Sequence, residues 1–157
     1  VNERASEWGT ANPSWAERNL KMGVSSHPIT VDGIRMPELF ASYGMPYFLK
    51  IDIEGNDLLC LEALIGATQK PRYISIESSK TSFRDLLEEF RLLSQLGYTG
   101  YKVVNQLHVP AQICPNPPGE GVFVEHLFPR GATGLFGNEV PGWWMPMSLA
   151  IMRYVPV

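Results

Sequence analysis

Residues 47–57 read YFLKIDIEGND, a short apolar run that ends in acidic residues and a glycine. Successive strand side chains point to opposite faces, so the apolar residues at 47, 49, 51 and 53 share one face. Phe48, Lys50 and Asp52 take the other face, and Glu54 follows just past the strand. The segment Gly55-Asn56-Asp57 then favours a turn and an acidic helix start. This stretch predicts a β-strand, a tight turn and a helix.

The residues that follow complete one supersecondary unit. Leucines at positions 58, 61 and 64 recur at helical spacing until Gly66, and a second strand is predicted over Tyr73–Glu77 after Pro71. A strand, a helix of roughly three turns and a strand with tight connections form a parallel βαβ unit with a right-handed crossover. The fold class is therefore α/β.

Further elements are predicted on both sides of this unit. An amphipathic helix starts after Ser82 and ends at Gly97, and a further strand is predicted after it. This second helix–strand pair predicts that the sheet continues beyond the βαβ unit. The long Pro- and Gly-rich region between 110 and 146 is typical of a functional or mobile loop. The remaining predictions are helices over Pro13–Met22 and Pro37–Tyr43, and strands over Ile29–Val31, Tyr101–His108 and Met147–Val155.

Composition narrows the function classes. The chain of 157 residues is 45% hydrophobic and 18% charged, which is too apolar for a disordered chain, and no apolar run approaches the ~20 residues of a membrane span. The net charge is −3 and the basic residues are scattered, which disfavours nucleic acid as a partner. Two cysteines without paired spacing favour reduced thiols in a cytoplasm. A small-molecule partner fits best.

Charged side chains gather where the two predicted strands end. Ligands of open α/β sheets bind beyond the carboxyl ends of the strands, which is where Asp52, Glu54 and Glu77 fall. Clustered carboxylates can act as a general base, bind sugar or ribose hydroxyls, or hold a divalent cation. A simpler interpretation is that Lys50 pairs with one carboxylate and the others cap the helix that begins near Asn56. The residues alone leave these alternatives open.

Two tryptophans are weaker candidates. Trp8 and Trp143 flank glycine-containing loops, where an aromatic face can hold a sugar, a base or a sulfonium cation. Aromatic side chains more commonly anchor a loop on the core. We retain both as candidate substrate-binding residues.

The Lys50-Ile-Asp-Ile-Glu-Gly55 segment resembles the strand-and-turn signature of the FkbM-type S-adenosylmethionine-dependent methyltransferases, Lys-Ile-Asp-(Ile/Val)-Glu-Gly. Flanking features agree in order and spacing. They are Thr30-Val31-Asp32, the helix end at Tyr43-Gly44, the strand over residues 71–77, and the later segment GLFGNE at 134–139. The resemblance is strongest from Thr30 to Ser79.

The resemblance implies a Rossmann-like, mostly parallel sheet with flanking helices, and methyl transfer from S-adenosylmethionine to oxygen on a small molecule or sugar. It places Lys50, Asp52 and Glu54 on the family's acidic motif, as candidate catalytic residues. Glu77 falls on the glutamate of the next strand, as a candidate substrate-binding residue. No bound metal is implied.

One family feature is not recognisable. A strand ending in a glycine-rich turn should bind the methionine part of the cofactor, but only Gly9 and Gly23 precede Thr30. We therefore expect residues 1–157 to form a single, partial domain, the C-terminal part of a methyltransferase domain without its N-terminal cofactor-binding strands. Such a chain in isolation should be inactive, leave its cofactor-binding residues unassigned, and self-associate through an exposed sheet edge.

Two other functions remain open. Asp52-Ile53-Glu54 is similar to the Asp-x-Asp motif of metal-dependent glycosyltransferases, in which a divalent cation binds the nucleotide-sugar. A non-catalytic binding or interaction module would also explain the missing glycine-rich turn.

Overall fold

The structure, a computed structural model, describes residues 9–78 and 82–154. These residues form five α-helices and two β-strands. The helices are α1 (Pro13–Lys21), α2 (Met36–Tyr43), α3 (Asp57–Leu64), α4 (Phe83–Gln95) and α5 (Met147–Tyr154), and the strands are β1 (Phe48–Ile51) and β2 (Tyr73–Ile76). Two short 3-10 helices span Gln106–Ala111 and Gly137–Glu139.

The predicted βαβ unit is confirmed. β1 and β2 pair in parallel with Phe48 opposite Tyr73 and Ile51 opposite Ile76, and α3 connects them. The pairing extends one residue before β1, because the Tyr73 N–H donates to the Tyr47 carbonyl at 3.2 Å. The carboxyl ends of both strands therefore lie at the same edge of the sheet.

The helix predictions around this unit also hold. Asn12 caps α1 by accepting a hydrogen bond from the Ser14 N–H, and Pro13 occupies the first turn. Ser82 caps α4 by accepting from the Asp85 N–H at 3.2 Å. The chain leaves α4 through Gly97 at φ +90°, a conformation that glycine adopts without strain.

The core is built mainly from α3, α4 and the strands. Leu61 and Leu64 of α3 are fully buried, and Leu86, Phe90 and Leu93 of α4 are at most 8% exposed. The spacing of the α4 residues gives the helix one apolar face. The core fixes β1 and β2 from one side and so determines where their ends lie.

Three predicted strands are wrong. Ile29–Val31 has no strand pairing and its side chains are exposed. The region Tyr101–His108 makes a single antiparallel bridge from Tyr101 to Met145 and then turns into the 3-10 helix. The side chain of Asn105 starts that turn, because it accepts from the Leu107 N–H at 3.0 Å and so offers the backbone an alternative to a strand.

The third wrong strand is the tail. Met147–Tyr154 is α5, and Val155 lies outside the described residues. Ala150 is fully buried, and Ile151 and Tyr154 pack on the core at helical spacing. The described part of the chain thus contains a two-stranded parallel sheet. This confirms an α/β arrangement, whereas the larger Rossmann-like sheet stays a prediction.

The two cysteines and the apolar length of the helices were also subjects of sequence-based predictions. Cys60 and Cys114 are both free thiols. None of the helices in the described ranges is long and apolar enough to cross a lipid bilayer.

Candidate functional site

Three carboxylates meet at the carboxyl edge of the sheet. Asp52 and Glu54 follow β1, Glu77 follows β2, and one oxygen atom of each lies within 4.8 Å of the others. Asp52 is exposed, whereas Glu54 and Glu77 are half-buried. The expectation that parallel strand ends would bring these residues together is confirmed. We call these three residues the acidic cluster.

Lys50 belongs to the same edge. Its Nζ atom donates to Oδ2 of Asp52 at 2.7 Å, and both side chains are partly accessible to solvent. The two residues lie two positions apart on the strand and therefore share a face. This confirms the interpretation that Lys50 pairs with one carboxylate, so the local charge of the cluster is partly neutralised.

A different carboxylate organises the turn before α3. Asp57 accepts hydrogen bonds from the backbone N–H groups of Ile53, at 3.0 Å, and Gly55, at 3.2 Å. Both N–H groups precede α3, so Asp57 organises the turn and does not cap the helix, and the side chain of Asn56 makes no capping hydrogen bond. A capping role for the cluster carboxylates stays a prediction.

Helix α1 lies over this turn. The Thr10 hydroxyl donates to the Glu54 carbonyl at 2.6 Å, although 44 positions separate the two residues. A Cβ atom built on Gly55 would lie 2.5 Å from Nε1 of Trp15, so the indole fills the space beside the glycine. The guanidinium of Arg18 stacks on that indole, 3.9 Å from the ring centroid.

Sequence reasoning missed these α1 contacts. The pattern over Pro13–Met22 identified a weakly amphipathic helix, but nothing in its spacing indicates which turn it covers. Contacts across more than 30 positions leave no periodic signal. The only available sign was Gly55 itself, since a glycine after a strand can mark a close approach of another group.

Burial and charge raise the pKa of Glu54. Loss of solvent around the carboxyl is the main cause, and repulsion from Glu77 and Asp52 adds to it. The positive charge of Arg18 acts in the opposite direction and lowers this pKa. A carboxylate with a raised pKa is a better proton acceptor at neutral pH than an ordinary glutamate.

The region that contains the acidic cluster also matches a known protein family. The model of the methyltransferase FkbM domain matches residues 2–99, which include the whole βαβ unit, the acidic cluster and α4. The chain belongs to the FkbM methyltransferase family. Searches of curated proteins and of solved structures gave no match.

The FkbM match ends before the long loop, where Trp143 lies. Trp143 is 60% exposed and lines a cavity of about 70 Å³ with Lys102, Val103 and Arg153. None of these residues belongs to the acidic cluster. Trp8 lies outside the described residues. The substrate-binding roles of both tryptophans therefore stay predictions.

The long loop, residues 110–146, is anchored at the amino ends of β1 and β2, opposite the acidic cluster. The hydroxyls of Tyr47 and Tyr73 donate to the carboxylate of Glu120, at 2.8 and 2.7 Å. Both bonds lower the pKa of Glu120, and the bond from Tyr47 to Glu120 is the main cause that raises the pKa of Tyr47 to about 12. Trp144 stacks on Tyr73 with ring centroids 5.8 Å apart and donates to Asn138. The polar groups of this network bind one another, which indicates an anchoring role.

Proposed function

We propose that this chain supplies the acceptor side of an S-adenosylmethionine-dependent O-methyltransferase. The observation that supports this most directly is the acidic cluster at the carboxyl edge of the sheet, in a member of a methyltransferase family. Open α/β sheets bind ligands at this edge. The acceptor would be a small molecule or a sugar, as the resemblance to the family implies, and the loops around the cluster would set which one.

Glu54 is the best candidate for the general base. Its raised pKa suits it to accept the proton of an acceptor hydroxyl; S-adenosylmethionine, when bound, would supply the methyl group and leave as S-adenosylhomocysteine. Asp52 is held by the hydrogen bond from Lys50, and we assign it the role of orienting the hydroxyl by accepting a hydrogen bond. Glu77 completes the cluster from β2 and can bind a second hydroxyl of a sugar.

The chemistry of the cluster fits a sulfonium methyl donor in part. S-adenosylmethionine, when bound, supplies an activated methyl group on a positively charged sulfur, and the three carboxylates favour a cation at this edge. The turn after β1 does not fit the methionine part of the donor, because Trp15 fills the space beside Gly55. Binding of the donor would therefore depend on a glycine-rich turn that is not recognisable in the sequence upstream of Asp52.

Calorimetric titration of S-adenosylmethionine and S-adenosylhomocysteine tests this proposal. The titrations use the chain and a version extended at its N-terminus. We expect tight binding by the extended version and weak or no binding by the chain alone. Absence of binding by both would contradict the methyltransferase proposal and favour a glycosyltransferase or an interaction module.

Variants then test the acidic cluster. In an extended protein that binds the donor, Asp52→Asn and Glu54→Gln should each abolish most methyl transfer, followed as S-adenosylhomocysteine formation with a panel of sugars. Glu62→Gln is a matched control, because Glu62 is an exposed carboxylate of α3 outside the cluster. Full activity in both cluster variants would contradict the assigned roles.

A glycosyltransferase is the second candidate. The same spacing of three carboxylate oxygens suits a divalent cation, which prefers oxygen ligands. Titration of Mg²⁺ and Mn²⁺ in the absence of nucleotide separates the two functions. Binding that Glu54→Gln removes, in a protein that does not bind S-adenosylmethionine, would favour the glycosyltransferase. A cytoplasmic location suits either enzyme, since both thiols are free.

A further inference from the structure

We propose that Thr10, Trp15 and Arg18 form a clamp that holds Glu54 in a left-handed backbone conformation and so directs its carboxylate into the acidic cluster. These are positioning residues, because they act through Glu54. The catalytic meaning of the clamp rests on the proposed function, whereas its effect on the conformation of Glu54 does not.

The conformation of Glu54 calls for an external cause. Its φ is +49°, and Glu54 is the one non-glycine residue with positive φ among residues 9–78 and 82–154. Such a conformation is uncommon for residues with a Cβ atom, and it persists only where the surrounding structure enforces it. The chain bends at Glu54 and Gly55, between the end of β1 and the start of α3.

The first two contacts of the clamp act on the backbone. The 2.6 Å hydrogen bond from the Thr10 hydroxyl fixes the orientation of the peptide group that joins Glu54 to Gly55. The indole of Trp15 occupies the space beside Gly55, whose φ of +98° continues the turn. Thr10 thus contacts the carbonyl of this peptide group and Trp15 contacts the Gly55 side of it, and both residues lie outside the βαβ unit.

Arg18 fixes the indole and supplies charge. Its guanidinium lies over the Trp15 ring, and its Nε atom is buried without a hydrogen-bond partner among the described residues. Leaving that donor unpaired is unfavourable, so other contacts hold this position: the stacking on Trp15, attraction to the acidic residues, and a hydrogen bond from Nη2 to Oδ1 of Asn19 at 3.3 Å. The charge favours the ionised form of Glu54, which faces Asp52, Glu77 and Asp57.

The alternative cause lies within the βαβ unit. Asp57 brackets the turn by accepting from Ile53 and Gly55, and this alone could set the conformation of Glu54. The two explanations differ in one observable. Only the clamp makes the conformation of Glu54 depend on α1 and on Thr10, which precedes it.

The test is the ¹³Cα and ¹³Cβ chemical shifts of Glu54, which distinguish left-handed from extended backbone. We expect Thr10→Val and Trp15→Ala to move these shifts towards extended values. Leu20→Ala is the control, since Leu20 lies on α1 but is 63% exposed. Left-handed shifts in both clamp variants would overturn the proposal and assign the turn to Asp57.

A second pair of variants applies if Trp15→Ala does not fold. Gly55→Ala and Gly66→Ala place a side chain at the same φ of +98°, but a Cβ atom meets the Trp15 indole at Gly55 and nothing within 4 Å at Gly66. We expect the indole Nε1–H resonance of Trp15 to shift only in Gly55→Ala. An unchanged resonance there would overturn the contact.

The role of Arg18 is tested by separate variants, and the measurement needs no ligand. Arg18→Met should shift both the Trp15 indole and the Glu54 resonances, and Arg18→Lys, which keeps the charge, should restore part of the Glu54 shift. No change in Arg18→Met would remove Arg18 from the clamp. Because these spectra are recorded without cofactor, absence of S-adenosylmethionine binding by both the chain and its extended version would refute the proposed function and leave the clamp standing.

Discussion

Glu54 combines a raised pKa with a position where four charged groups face it. Asp52 and Glu77 repel its ionised form across the cluster, Asp57 repels it from α3, and Arg18 attracts it from α1. Because burial is the largest cause, the shift depends on the turn staying closed. A titrating group of this kind links folding stability to pH.

The sign of that link follows from the raised pKa. Folded protein holds the Glu54 proton more tightly than unfolded protein, so the contribution of this proton is complete below the unfolded pKa and is lost as pH rises through the folded pKa. Compared with Glu54→Gln, the native chain should lose free energy of unfolding as pH rises over that window. Urea unfolding of both proteins across this pH range measures the difference. The prediction would be contradicted if the free energy of unfolding of the native chain, relative to that of Glu54→Gln, stayed constant or rose with pH.

At the scale of elements, one glycine decides how the long loop meets the sheet. A Cβ atom on Gly137, at φ +59°, would lie 2.7 Å from the Tyr73 ring, whereas Gly121, at φ +60°, has nothing within 4 Å. Both alanine variants incur the strain of a left-handed residue, roughly 1–2 kcal/mol. Gly137→Ala should lose about 1–3 kcal/mol more, since it also overpacks the contact. Equal unfolding midpoints for the two variants would show that the loop does not depend on this contact.

The elements also show what sequence patterns can and cannot specify. The βαβ unit was predictable because the apolar residues of β1, α3 and β2 recur at the spacing of a strand or a helix. The acidic cluster was predictable because parallel strands end at the same side of the sheet. The strand predicted over Tyr101–His108 failed because a side-chain cap from Asn105 competes with strand pairing. The clamp could not be predicted, because the Thr10–Glu54 contact depends on how α1 packs and not on its pattern.

At the scale of the molecule, the two-stranded sheet of the described residues has two edges without a partner strand. Among the described residues each strand has one neighbour, so each has an edge without a partner strand. Isolated parallel pairs are unusual, and free edges recruit other chains. We expect the chain to dimerise as its concentration rises, measured by light scattering. A constant monomer mass over the whole concentration series would contradict this.

A second surface could also cause association, and variants separate the two. Ile29, Val31 and Ile34 lie in the segment between α1 and α2 and are each more than half exposed. Replacing all three with serine leaves the strands unchanged. Dimers that persist in the triple variant would form through the sheet edge, and dimers that disappear would form through this apolar segment.

The two free thiols give the molecule an intrinsic labelling preference. Burial, with a smaller effect from the charge of Asp57, raises the pKa of Cys60, so little of it is thiolate at neutral pH. Cys114 lies in the long loop, on a cavity of about 180 Å³ beside Phe136. A maleimide dye should therefore modify Cys114 first, which peptide mass mapping at short reaction times would verify. The native chain would then carry a single fluorophore on its loop, and emission changes would report loop movement without any engineered cysteine.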